Sequence, residues 1–192
     1  GPSPADAGDG GPTRGLSADE KTTMNAKAGR DLTVPEEADA VGKSDGLWSK
    51  LLKGVARHPR IMAYILNNDT MVDAFMSRPK MKQNCGSPSS FSSYLSDTKR
   101  PNGVSHAMDV YESVLHGHPD MPTVMFGSKL ADAIQKCPST QSLVKDAGAI
   151  SHIAQSNRRM LGMMLDPAFM KGLAASPAAM ASFESVQNNL VQ

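Results

Sequence analysis

AQSNRRMLGMMLDPAFMKGLAASPAAM, residues 154–180, is a run of short apolar helices written in local signals. Met160, Met163 and Met164 recur at helical spacing, Asp166-Pro167 halts that run and opens another, and Ser176-Pro177 opens a third. An Asp or Ser ahead of Pro is a helix start. The side-chain oxygen accepts from the free N–H groups of the first turn, and Pro fits the first helical position because its missing N–H has no partner there anyway. ARHPRIMAYILNNDTMVDAFMSRPKM, residues 56–81, reads in the same way. Laid over one another, Met62 falls on Met160, Ile65 on Met163, Leu66 on Met164, Phe75 on Leu173 and Pro79 on Pro177. The pattern has the form of a repeated pair of short apolar helices.

Working outward, Ser44 caps a helix carrying Leu47, Leu51 and Val55, and His58-Pro59 ends it and starts the next. Met62, Ile65 and Leu66 form its apolar stripe; Asn67-Asn68-Asp69 breaks it, and Asp69 is read as the cap of a helix bearing Val72, Phe75 and Met76. Residues 84–103 are punctuated by Gly, Pro and Ser and read as a long loop with one turn of helix near its middle. Further helices are predicted over 106–116, 122–136, 149–165 and 177–190, with a short one after Ser139. No run of alternating β-branched residues occurs. The expectation is therefore an all-α fold, an irregular bundle of about eight short helices.

Residues 1–42 hold few large apolar side chains among their Gly, Ala, Asp, Thr and Pro. Such a segment buries too little surface to offset the entropy of ordering. It is read as a disordered acidic tail, with residues 43–192 as a single all-α domain. Charge divides along nearly the same line: residues 1–45 carry five basic and nine acidic side chains, and residues 46–192 fifteen and ten. The basic residues are scattered, without a stripe of interleaved aromatics, which argues against sequence-specific nucleic-acid binding. No apolar run approaches the ~18 residues of a membrane span. Gly1-Pro2 is the kind of start a cleaved tag leaves, so a native targeting signal is not read from this end. Localisation is correspondingly open, cytoplasmic or secreted into a host cell.

Aromatic side chains are scarce at 5%, Trp48 is the single tryptophan, and twelve of the 13 methionines lie beyond residue 60. Thioether side chains repack around varied apolar partners. Two readings of the Met stripes follow: they are core, or they line a groove that grips an apolar helix or segment of a partner protein. On the second reading the partner-binding residues are Met62, Ile65, Leu66, Phe75, Met76, Met160, Met163, Met164, Met170 and Leu173. The expected function is a non-enzymatic protein–protein interaction domain without cofactor.

Asp166-Pro167-Ala168-Phe169-Met170 and Ser176-Pro177-Ala178-Ala179-Met180 resemble the Asn/Asp-Pro openings of the DP modules found in stress-inducible co-chaperones. His58-Pro59-Arg60-Ile61-Met62 and Arg78-Pro79-Lys80-Met81 are similar at lower fidelity. The resemblance implies a helical cradle with an apolar groove that accepts hydrophobic segments. Two departures stand against it: Asn68-Asp69 lacks the proline, and residues 85–148 have no counterpart in so small a module. An acidic tail with a Met-rich helical body also resembles secreted pathogen effectors, which act by occupying a host protein's surface.

Candidate chemistry is sparse. Cys85, within Asn84-Cys85-Gly86-Ser87, is the one nucleophile candidate, with His106, His116, His118 or His152 as a base and Asp109 or Asp120 to orient it. That arrangement would make a cysteine hydrolase. A disulfide between Cys85 and Cys137 is the alternative use of the same sulfur. His116-Gly117-His118 with Asp120 offers too few ligands to define a metal site.

Overall fold

The computed structural model describes residues 15–190, and among them it contains fifteen helices and no strand. The all-α class follows directly. The helices are more numerous than expected because segments read as tail and loop are also helical, and shorter because Ser128 and Asn157, read as helix interior, are caps.

The first two helices occupy the segment expected to be disordered. Helix α1 (Ala18–Ala28) opens on a full capping box, Ser17 accepting from the Glu20 N–H while the Glu20 carboxylate accepts from the Ser17 N–H. It closes on Gly29 at φ 66°, a left-handed conformation that glycine adopts without Cβ strain. Helix α2 (Pro35–Lys43) begins with proline and two acidic residues in its first turn. Leu16, Met24, Ala28, Leu32, Ala38 and Val41 are buried in the main core. The tail expected over residues 1–42 is thus corrected for residues 15–42: few large side chains sufficed because all of them but Val34 are placed inward. Residues 1–14 lie outside the described residues.

Helix α3 (Asp45–Gly54) is capped by Ser44, and α4 (Pro59–Asn67) starts on Pro59, both as expected. Helix α5 (Asp69–Met76) is capped by Asn68 rather than Asp69, the Asn68 side chain accepting from the Met71 N–H. Helix α2 lies close against α5, and Gly42 permits the approach. A Cβ there would sit 2.6 Å from Ala74 Cβ and 2.9 Å from the Met71 carbonyl oxygen. Trp48, Leu51, Leu52, Val55, Met62, Ile65 and Met71 fill the space between these helices and α1.

Residues 84–103 are the second correction. Helix α6 (Pro79–Gly86) runs into that segment, and Ser87 caps α7 (Pro88–Ser96) through its bond from the Ser90 N–H. Helix α8 (Val104–Leu115) starts on Gly103, which has no side chain to cap it, and the Ser105 hydroxyl of its first turn donates to the Thr98 carbonyl. Val110 and Val114 of α8 belong to the main core.

The predicted helix over 122–136 is divided at Gly127-Ser128 into α9 (Met121–Phe126) and α10 (Lys129–Gln135), with Ser128 capping the latter. Helix α11 (Pro138–Leu143) follows. The predicted 149–165 helix is likewise divided, at Asn157, into α12 (Ala147–Ser156) and α13 (Arg158–Met163). Helices α14 (Pro167–Leu173) and α15 (Pro177–Leu190) begin at their prolines, and the Asp166 carboxylate accepts from the Ala168 N–H. No described helix is long and apolar enough to cross a membrane.

Candidate functional site: an apolar cavity with a polar mouth

The two Met-rich stretches have different fates. Met62, Ile65 and Leu66 are buried in the main core, so they present no gripping surface. Phe75 and Met76 are partly buried against that core, Phe75 packing on Trp48 at 5.2 Å between ring centroids. The Arg78 guanidinium covers the Phe75 ring, 4.6 Å from its centroid. For these five residues the core reading of the Met stripes is the correct one. The physical reason is that α1 and α2, unforeseen in the sequence, cover the face that would otherwise be open.

The second stretch faces a cavity. Met160 and Met164 line a space of about 230 Å³. Phe91 and Leu95 of α7 form one wall, Ile150, Ile153 and Ala154 of α12 another. Ile134, Leu143 and Val144 close a third side, and Val186 and Leu190 of α15 a fourth. Met163 is half-buried without lining the cavity, Leu173 is buried, and Met170 remains 43% exposed.

Two polar side chains reach the lining, and both are committed to backbone. Asn157, 1% exposed, donates from Nδ2 to the Leu95 carbonyl at 2.8 Å and accepts at Oδ1 from the Met160 N–H at 3.2 Å. Thr140 Oγ1 donates to the Ile134 carbonyl at 2.7 Å. With those donors engaged, the cavity offers its occupant an almost purely apolar surface.

Ala154, Leu161 and Leu190 also border a second basin of about 610 Å³ with a mixed polar and apolar lining, so the two spaces adjoin. Its lining includes Ser151, Gln155, Arg158 and Asn189. Arg158 makes no ion pair among the described residues, whereas its neighbour Arg159 is held by Asp109 and Glu112, each at 2.8 Å.

Cys85 and Cys137 form a disulfide, with their Cα atoms 4.9 Å apart. The bridge ties the end of α6 to the start of α11, beside two walls of the cavity. Cys85 therefore carries no free thiol in this structure, which corrects its reading as a nucleophile. The histidines are dispersed. His116 Nε2 lies 2.7 Å from Asp166 Oδ2, and His118 Nδ1 accepts from the Asp120 N–H. No group of three or more His, Cys, Asp or Glu with metal-holding geometry occurs among the described residues.

One grouping missed in the sequence has the composition of a catalytic triad: Ser49, His106 and Asp45. Ser49 Oγ lies 3.1 Å from His106 Nε2, but Asp45 Oδ2 addresses the same nitrogen at 3.8 Å. A triad needs the carboxylate on the opposite ring nitrogen, where it orients the imidazole and sets its tautomer. The grouping is instead part of the polar junction between α3 and α8. Nearby, burial pushes the Tyr94 hydroxyl up to about 12 and raises Tyr111 as well. Both hydroxyls stay protonated at neutral pH, and Tyr111 accepts from Trp48 Nε1 at 3.4 Å. Burial likewise lowers the Arg78 guanidinium, against the opposing pull of Asp45.

Comparison with protein-family models, curated proteins and solved structures returns no match.

Proposed function

We propose that this chain is a non-enzymatic binding module whose ligand inserts an apolar chain into the cavity between α7, α12, α13 and α15. The observation that carries the reading is the cavity itself: about 230 Å³ of space, with its few polar donors satisfied internally. That is larger than the ~150 Å³ apolar cavity known to admit benzene. Met160 and Met164 on one wall let the space adjust to occupants of different shape.

The test is a chain-length series of neutral n-alkyl alcohols followed by calorimetry. Each added methylene contributes about 0.8 kcal/mol while it enters apolar surroundings, so affinity rises about fourfold per carbon. The rise should stop once the cavity is full. Ala154→Phe, which places a ring where cavity and basin meet, should abolish binding while retaining the helical circular-dichroism signal. A flat series, or an unaffected variant, would count against the reading.

A second reading rests on different residues. Leu165 is 81% exposed, and Leu161 and Met170 are also open to solvent. These three lie on α13, α14 and the turn between them, and exposed large apolar side chains in one region mark protein-interaction surfaces. On this reading an apolar segment of a partner protein rests on Leu161, Leu165 and Met170, its anchor residue entering the cavity. Leu165→Asp would weaken partner capture and leave alcohol binding unchanged.

A further inference from the structure

We propose that the ligand of this module is an anionic single-chain amphiphile, a fatty acid of medium length, with its carboxylate held by Arg158. The proposal rests on the cavity reading above and adds the chemistry of the head group. Asn157 lines the cavity and Arg158 lines the basin, so the guanidinium is carried by the residue next to the cavity wall. Asn157 cannot swing away, because its side chain caps α13 and holds the Leu95 carbonyl. Its anchorage fixes where the Arg158 backbone sits.

An acyl chain in the cavity leaves between Ala154, Leu161 and Leu190, the residues common to both spaces. Its head then arrives in the basin. Arg158 is the single charged side chain lining that basin, whose other polar groups, Ser151, Gln155 and Asn189, are neutral. No carboxylate of the protein pairs with Arg158 among the described residues, unlike Arg159 beside it. A guanidinium without an internal partner, beside an apolar opening, matches a carboxylate in charge and in planar two-pronged geometry. Chain length follows from volume: at roughly 30 Å³ per water-sized group, the cavity takes about eight carbons. Longer chains leave carbons in the mouth.

The experiment compares decanoate, decanol and decyltrimethylammonium on the full chain by calorimetry below their micelle concentrations, with and without Arg158→Gln. The expected result is decanoate binding a few-fold tighter than decanol, the size of an ion pair at the exposed Arg158 guanidinium, with the cationic amphiphile weakest. Arg158→Gln should bring decanoate down to decanol and leave decanol unchanged. Equal binding of decanoate and decanol, or a preference that survives in the variant, would overturn the head-group assignment while the cavity reading stands. Failure of every amphiphile to bind would overturn both and leave the exposed Leu161, Leu165 and Met170 surface as the interaction site.

Discussion

Asn157 shows how much a single buried polar residue does in this protein. It ends α12, caps α13, holds the Leu95 carbonyl of α7 and supplies part of the cavity wall. Asn157→Ala removes a cap worth about 1 kcal/mol and takes the side-chain donor from the part-buried Leu95 carbonyl, at about 1 kcal/mol more. Urea denaturation should therefore show a loss of about 2 kcal/mol, and the cavity should bind alcohols more weakly. Glu20 acts at the other end of the chain. Burial alone would raise its carboxyl, but bonds from Arg60 and Ser17 outweigh burial and hold it below its ordinary 4.5. A depressed folded value means that the stabilisation is complete above 4.5 and fades as pH falls through the lowered value. The difference in melting temperature between the native chain and Glu20→Gln should thus be present at pH 7 and vanish in acid.

Among the elements, the most extensive helix–helix contact is that of α2 on α5, and it depends on Gly42. Gly42→Ala would force a Cβ against Ala74 and the Met71 carbonyl, neither of which is the free end of a flexible chain. Overpacking of this kind costs about 1–3 kcal/mol, to be read from a thermal melt. The Cys85–Cys137 bridge joins α6 to α11 across a sequence separation of 52 residues. In the chain-entropy account a loop of that length restrains the unfolded chain by about 4 kcal/mol. A Cys85→Ser/Cys137→Ser double variant should lose a comparable amount in denaturant melts. If it also binds alcohols more weakly, the bridge is holding the α7 and α11 walls in place. Much of this level was legible. Pro59, Pro167 and Pro177 each start a helix where the sequence placed one. The breaks at Ser128 and Asn157 were not, because a capping Ser or Asn within a helical period looks like an ordinary interior residue until its side chain is seen bonding to backbone.

At the scale of the whole molecule, the N-terminal segment belongs to the fold. Met24, Leu32 and Val41 are nearly or fully inaccessible, and the Arg60–Glu20 ion pair at 2.9 Å ties α1 to α4. Removing residues 1–43 should strip the cover from Met62 and Ile65, abolish cooperative thermal unfolding and increase binding of an apolar dye. A domain beginning at residue 43 predicts the opposite, an unchanged melt. The signals for α1 were present in Ser17, Glu20 and Gly29, but a helix so poor in large side chains gives periodicity little to report.

The helical class, the start of many helices and the scarcity of chemistry-bearing residues were all readable along the chain. These are local properties: caps, prolines and apolar spacing act within one or two turns. Which methionines are core and which line a cavity was decided only by the tertiary structure. Met62 and Met160 occupy matching places in two similar stretches, and their spacing is alike. Their different roles come from α1 and α2 covering one of them, while α7, α12 and α15 leave space beside the other. Burial depends on neighbours distant along the chain, and no local pattern encodes it.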